Sequence, residues 1–480
     1  YRLLTSSPFR IDSVDGGRAR LVFPEAKDGR VEVRILVGTG LKDELARVPA
    51  AVVWQKDLPT LAREAASQWQ DLLGRIEVEG GDADRQTVFY TSLYRTFHSP
   101  FQVTDSIMRR YLGTDGQPHE AGQGDYYSSW SLWDTYRTKF PLITLLDPER
   151  SSSIMQSLAS LYVTGKQDWS TDHECVPTVR TEHAIATLLD AYRQGISIPN
   201  LDEAWAGMVH EAAHLPLHSP DQCLEAAADY WALGQLAGLT GRKQEAGKWT
   251  LRGEQVFDSV WTKEFQHIDN TYTRMRGNGL YQGTRWQYRL GAPMYLSRME
   301  RLVGRQELLA QLEQFFRDEL YNQGNEPDIH VPFLFGRLGA PQLTAPVVRS
   351  LATGVVTHRY GGNDAYPQPF VGKAFDNQPR GYCPEMDEDD GAMSAWYVFA
   401  SIGLYPVVVG EATYELFPPL FSRITLYPGG RQKPAVVIRV EGKADGSRPL
   451  RRITWNGRRL KEPRIAHSTL VRGGTLVFHY

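Results

Sequence analysis

Three cysteines in 480 residues, Cys175, Cys223 and Cys383, leave an odd thiol at wide, irregular spacing. That excludes a disulfide framework and a CxxC metal knuckle and leaves room for one disulfide at most. Long apolar runs are missing as well. No segment reads as a bilayer-spanning helix, and no leader pattern of charged, apolar and small residues opens the chain. Charge of neither sign is in excess, with 53 Lys and Arg against 56 Asp and Glu. With no block of like charge to hold nucleic acid or an anionic membrane, the expected partner is a small or neutral molecule. The start at Tyr1 rather than Met fits a mature secreted product or a piece of a longer polypeptide.

The chain is 41% hydrophobic and 11% aromatic, enough for a large core and more than one structural unit. Its 12 Trp and 23 Tyr suit sugar faces as well as helix packing. Residues 1–56 alternate apolar and polar in stretches such as Val31 to Val37, the period of strands. From Leu58 to about Ala352 the period is helical, with amphipathic stretches at 58–74, 86–98, 150–164, 181–194, 222–237, 242–260, 286–302 and 305–319. Residues 354–390 are rich in Gly, Pro, Asn and Asp and predict a long irregular loop, of the kind that often carries function. A helix is expected near Gly391, and short β runs separated by turns from about 407 to Tyr480.

The densest chemistry is Glu385-Met386-Asp387-Glu388-Asp389-Asp390. Five carboxylates in six residues repel one another unless they are solvated, cap a helix or hold a cation. The apolar, aromatic helix that follows favours a cavity mouth over a solvated turn. Asn325 and Glu326, in Gly324-Asn325-Glu326-Pro327-Asp328-Ile329-His330, offer oxygens that a hard cation prefers, or form a capping turn. In Ser131-Leu132-Trp133-Asp134-Thr135-Tyr136-Arg137, a carboxylate beside an indole can grip sugar hydroxyls, or else caps a helix over core aromatics. Gln282 in Tyr281-Gln282-Gly283-Thr284-Arg285-Trp286-Gln287-Tyr288 is by itself a hydrogen-bonding glutamine among aromatics.

Together these segments resemble glycoside hydrolase family 92, the calcium-dependent exo-acting α-mannosidases, in its D-x-D-x-G-x-M-S-A-W-Y, N-E-P, S-L-W-D-T-F-R and Y-x-E-G-x-x-W-Q-Y motifs. The resemblance implies a mainly α fold with flanking β: an (α/α)6 toroid catalytic domain over 57–406, preceded by the end of an N-terminal β-sandwich (1–56) and followed by a C-terminal β layer (407–480). It implies Asp387 and Asp389 as general-base candidates, Asp389, Asn325 and Glu326 as Ca2+ ligands, and Trp133, Asp134 and His330 as sugar contacts, with Glu388 and Asp390 as bystanders. Where the family carries its general acid, this chain has Gln282, and Val331 replaces the Glu that follows the family's His. An amide has no proton to give, so only a leaving group that departs unprotonated would suffer little. A phosphate monoester is such a group, and Arg285 could fork onto it. The implied activity is inverting release of α-mannose from mannose-1-phosphate diesters on phosphorylated glycans, as in bacterial, secreted uncapping enzymes. The alternatives are a conventional exo-α-1,2-mannosidase on N-glycans, an inactive Glu-to-Gln variant of one, and a calcium-dependent lectin.

Overall fold

In the computed structural model, residues 1–38, 42–105, 108–122, 124–359, 369–442 and 450–480 are described. Arg2–Thr5 pairs antiparallel with Val33–Leu36, and Arg10–Asp15 with Arg18–Val22 around a Gly16-Gly17 turn. Both glycines have positive φ, which a two-residue hairpin turn demands. The β reading of 1–56 ends early: Lys42–Arg47 and Ala50–Val53 are helical.

The middle of the chain is helical where the period says so. Asp57, Asp82 and Asp147 accept the backbone N–H of Thr60, Arg85 and Arg150 and open the helices Leu58–Leu73, Ala83–Thr96 and Pro148–Thr164. Such caps contribute about 1 kcal/mol each. Pro220–Leu239 and Lys243–Val260 form a close hairpin. It is close because Gly234 and Gly253 stand at the contact: a Cβ on Gly234 would meet Thr250 N at 2.9 Å, and one on Gly253 would meet Ala227 O at 3.1 Å. Pro148–Thr164 packs on Leu201–His214, and Ala184–Arg193 on Pro220–Leu239.

The helix expected over 286–302 is broken. It runs as Arg285–Arg289, then a 3-10 turn at Pro293–Tyr295, then Leu296–Val303. Gly291 and Pro293 explain the break, since proline has no N–H to continue the ladder. The break leaves the Leu290 carbonyl free to accept from His330.

The long loop also holds more order than its composition suggests. Val356–His358 pairs with Phe370–Gly372, while the Gly361 to Pro367 stretch lies outside the described residues. Beyond it, Ala392–Ile402 is buried along its whole length and packs on Ala83–Thr96. Trp396 donates to the Ile329 carbonyl at 2.8 Å, and Phe333 stacks on Tyr405.

The chain ends in two sheets. One runs Arg458–Arg459, Arg452–Trp455, Gly474–His479, Val436–Glu441, Arg423–Leu426 and Ile76–Glu79, antiparallel except between Val436–Glu441 and Gly474–His479. Its last strand falls between the helical stretches expected at 58–74 and 86–98, with Ile424 opposite Val78. The second sheet joins Leu404–Tyr405, Thr413–Leu416 and Arg464–Ala466. All three cysteines are free, so the one disulfide the count allowed does not form. No helix among the described residues is long and apolar enough to cross a membrane.

Candidate active site

Three separate stretches of chain meet at one place. The first is the turn before the buried helix, where Asp389, Asp390 and Gly391 all take positive φ, at 28°, 57° and 92°. Left-handed non-glycine residues cost on the order of 1–3 kcal/mol each, so the surroundings must hold them there. The Glu388 carboxylate does so by accepting the N–H groups of Gly391 and Ser394 at 2.9 and 2.8 Å. Lys139, itself buried, donates to the Asp390 carbonyl at 2.5 Å and to Ser99. Gly391 must be glycine twice over, because a Cβ there would also meet the Arg95 carbonyl at 3.0 Å.

The second stretch, Gly324 to His330, is buried throughout and is tied to the first by the Asp387 N–H, which donates to the Gly324 carbonyl at 2.9 Å. The third is Ser131 to Arg137. Its Ser131 hydroxyl donates to Asp134 at 2.6 Å, and its Leu132 N–H donates to the Arg180 carbonyl at 2.8 Å.

These stretches bring the carboxylates of Asp134, Glu326 and Asp389 within 4.8 Å of one another. Burial raises Asp389 to about 10, helped by its neighbours Asp134 and Asp387. Burial likewise raises Asp134 to about 7, against the opposing pull of Ser131, Arg180 and Arg137. Glu326 is held well above the carboxylate range by burial and then by the three aspartates around it. Neither Glu326 oxygen has a hydrogen-bond partner. Enclosed carboxylates without donors are costly, and three oxygens converging at this spacing are the donor set a hard divalent cation takes.

The other expected site residues fall into two groups. Gln282, at φ 45°, accepts from Asn325 Nδ2 at 3.1 Å, so the amide lies against the Asn-Glu-Pro stretch. Asn325 Oδ1 accepts the Glu326 N–H at 2.8 Å, and Asp134 rather than Asn325 completes the acidic trio. His330 Nε2 donates to the Leu290 carbonyl at 2.7 Å, and burial lowers its pKa to about 4, so the ring is neutral.

Two side chains are placed otherwise than the sequence reading expects. The Arg285 guanidinium lies over Tyr272 and is engaged by Glu264, Asp269 and Thr271. Trp133 is 1% exposed, with Arg137 and Arg180 over its ring and its Nε1 donating to Glu225 at 2.7 Å. Its indole face is therefore covered by guanidinium groups, and the exposed ring beside it is Tyr281, edge-on at 5.3 Å and 42% exposed. Arg137, Arg180, Glu225 and Tyr281 are the neighbours that sequence reasoning did not single out. Arg137 and Tyr281 end and begin quoted motifs. Arg180 and Glu225 carry no local signal, because only the fold brings them to Trp133.

A trio of carboxylates, two buried and one half-buried, beside arginines and aromatic rings in a helix-rich chain with two terminal sheets is the kind of site that can hold a sugar. The glycosyl hydrolase family 92 catalytic domain matches residues 47–480, and the chain belongs to that family. A curated relative, an uncharacterized secreted glycosidase of Arthroderma benhamiae, is 25% identical over 472 residues, and the match covers 88% of this chain and 56% of that protein. The family 92 glycosyl hydrolase ccman5 superposes with a TM-score of 0.82 at 24% identity, covering 94% of this chain and 65% of that one. A Bacteroides thetaiotaomicron family 92 α-mannosidase in complex with mannoimidazole gives 0.79 at 18%, with 99% and 68% covered. A family 92 inverting mannosidase of the same organism gives 0.79 at 22%, with 99% and 72% covered. The chain thus spans a little over half the length of the curated relative.

Proposed function

We propose that this chain is the catalytic part of a calcium-dependent, inverting exo-glycosidase that releases α-mannose from mannose-1-phosphate diesters. The observation that supports the reading is Gln282: a neutral amide, accepting a hydrogen bond from Asn325 next to Glu326, occupies the position where the family resemblance implies an acid. Asp134, Glu326 and Asp389 would hold the calcium ion, and the chemistry of the donor set fits it. Bound calcium supplies a hard Lewis acid that grips mannose hydroxyls and favours distortion of the ring towards an oxocarbenium-like state.

Asp387, whose charge is one of those that raise Asp389, is the base. It takes a proton from water as the water oxygen bonds to the anomeric carbon from the face opposite the leaving group. The bond from that carbon to the phosphate oxygen breaks, and its electron pair leaves with the phosphate. No proton is needed on the departing monoester, so Gln282 has only to position it. His330, fixed as the neutral Nε2–H tautomer by Leu290, leaves Nδ1 as an acceptor for a sugar hydroxyl.

The helix pairs are read as part of an (α/α)6 toroid, flanked by the strands between Arg2 and Leu36 and by the C-terminal sheets. Action outside the cell is supported by the fungal relative, a secreted glycosidase. A second reading, a conventional exo-α-mannosidase, is favoured by the two Bacteroides neighbours, both mannosidases.

The test is incubation with calcium and either mannose-α-1-phospho-6-mannose or α-1,2-mannobiose, with proton NMR to catch the first anomer. Release of β-mannose from the diester alone is expected. Release from mannobiose at a comparable rate supports the second reading.

A further inference from the structure

An anionic leaving group has to enter a site lined by Asp134, Glu326, Asp387 and Asp389. Besides the calcium those residues would hold, a positive side chain facing the group would offset the remaining like-charge repulsion. Arg285 is engaged by Glu264 and Asp269, and Arg137 is 6% exposed with its guanidinium over Tyr136 and Trp133. Arg180 is placed differently. Its guanidinium carbon lies 4.7 Å from the centre of the Tyr281 ring and 4.9 Å from that of Trp133. Those rings are the chain neighbours of Gln282 and Asp134, so the guanidinium packs against both segments that carry the site.

The position is built rather than incidental. Ser131 and Arg180 pair as a bridge, and the Leu132 N–H donates to the Arg180 carbonyl. Nε and Nη2 are both taken by one Glu182 oxygen, at 2.8 and 2.6 Å, which fixes the plane of the fork. Among the described residues nothing accepts from Nη1, and the side chain keeps 15% of its surface exposed. A planar, permanently charged donor with one unused N–H pair suits a phosphate oxygen.

We propose that Arg180 is the specificity residue for an anionic leaving group, with Nη1 donating to a non-bridging oxygen of the phosphate attached to the anomeric carbon. This rests on the mannosyl-phosphodiester reading and names the group that recognises its anion.

The test compares Arg180→Gln and Arg180→Lys with the native protein, loaded with calcium, on mannose-α-1-phospho-6-mannose and on α-mannosyl fluoride, whose leaving group is small and needs no proton. The ratio of kcat/KM for diester over fluoride should fall at least about 10-fold in Arg180→Gln, the loss of one charge-assisted hydrogen bond, and recover in part in Arg180→Lys. Equal losses on both substrates would overturn the proposal and leave Arg180 as a support for Trp133 and Asp134. Calorimetry gives a readout independent of turnover: the native protein should bind mannose 6-phosphate more tightly than mannose, and Arg180→Gln should lose that preference. Absence of any preference in the native protein also overturns it. If the native protein cleaves α-1,2-mannobiose yet shows the Arg180-dependent preference, the functional reading fails and this inference stands.

Discussion

At the scale of single residues, the site is an arrangement of charges that do not belong together without a partner. Asp134, Glu326 and Asp389 each sit above the usual carboxylate range because burial and mutual repulsion penalise ionisation. A cation would reverse that penalty, so binding should appear as stability. Calcium at about 100 times its dissociation constant should add roughly 2.7 kcal/mol to the folded state. Thermal melts should therefore rise with calcium and fall back with chelator. Glu326→Gln should melt higher than the native protein in chelator, because it removes one repelling carboxylate, and should show a smaller rise with calcium. Identical calcium shifts in both would mean that Glu326 is not a ligand.

Elements carry the site through their ends. The buried helix Ala392–Ile402 begins at Gly391, where a left-handed φ and the closeness of Arg95 both demand glycine. Gly391→Ala should lose roughly 1–3 kcal/mol or more in urea unfolding and most of the activity. Gly241→Ala makes a control, since Gly241 has φ 81° but open space around it, and its loss should be near 1 kcal/mol. Equal effects would mean that the Arg95 contact contributes nothing.

The helices were legible in the sequence because their apolar period is local and their caps are short-range: Asp57, Asp82 and Asp147 stand where the pattern begins. What was not legible is non-local. Ile76–Glu79 becomes a strand only because Arg423–Leu426, some 350 residues later, offers it an edge. Of the three converging carboxylates, Asp389 and Glu326 lie in segments that the sequence marks for a cation, whereas Asp134 is marked there for sugar, because only the fold brings it to the other two. Arg285 misled because its neighbours in sequence lie near Gln282, whereas its neighbours in space are Glu264, Asp269 and Tyr272.

For the whole molecule, three buried histidines contribute to the response to acid. His330, His358 and His467 are each lowered to about 4 by burial. In the unfolded chain they protonate near pH 6.5, so the stability their neutral forms contribute is full above that pH and is lost as pH falls towards 4. The ceiling is about 3 kcal/mol for each. Asp190 works the other way: burial raises it to about 6, so its ionisation costs stability as pH rises from about 4 to 6, offsetting part of the histidine effect. The raised carboxyls of Asp134 and Asp389 oppose the histidines in the same way. The histidine contribution is therefore read by difference: from pH 7 to 4.5 the urea midpoint of the native protein should fall further, or rise less, than that of His467→Gln. The same pH dependence in both proteins would contradict this.

The central claim is that the amide at position 282 selects the leaving group, and its most direct test is the paired kinetics of the native protein and Gln282→Glu. In calcium, each is assayed on mannose-α-1-phospho-6-mannose and on α-1,2-mannobiose. The native protein should cleave only the diester, and Gln282→Glu should gain hydrolysis of mannobiose, because a carboxylic acid can protonate the sugar oxygen that the amide cannot. Native cleavage of mannobiose, or no gain in the variant, would contradict the account.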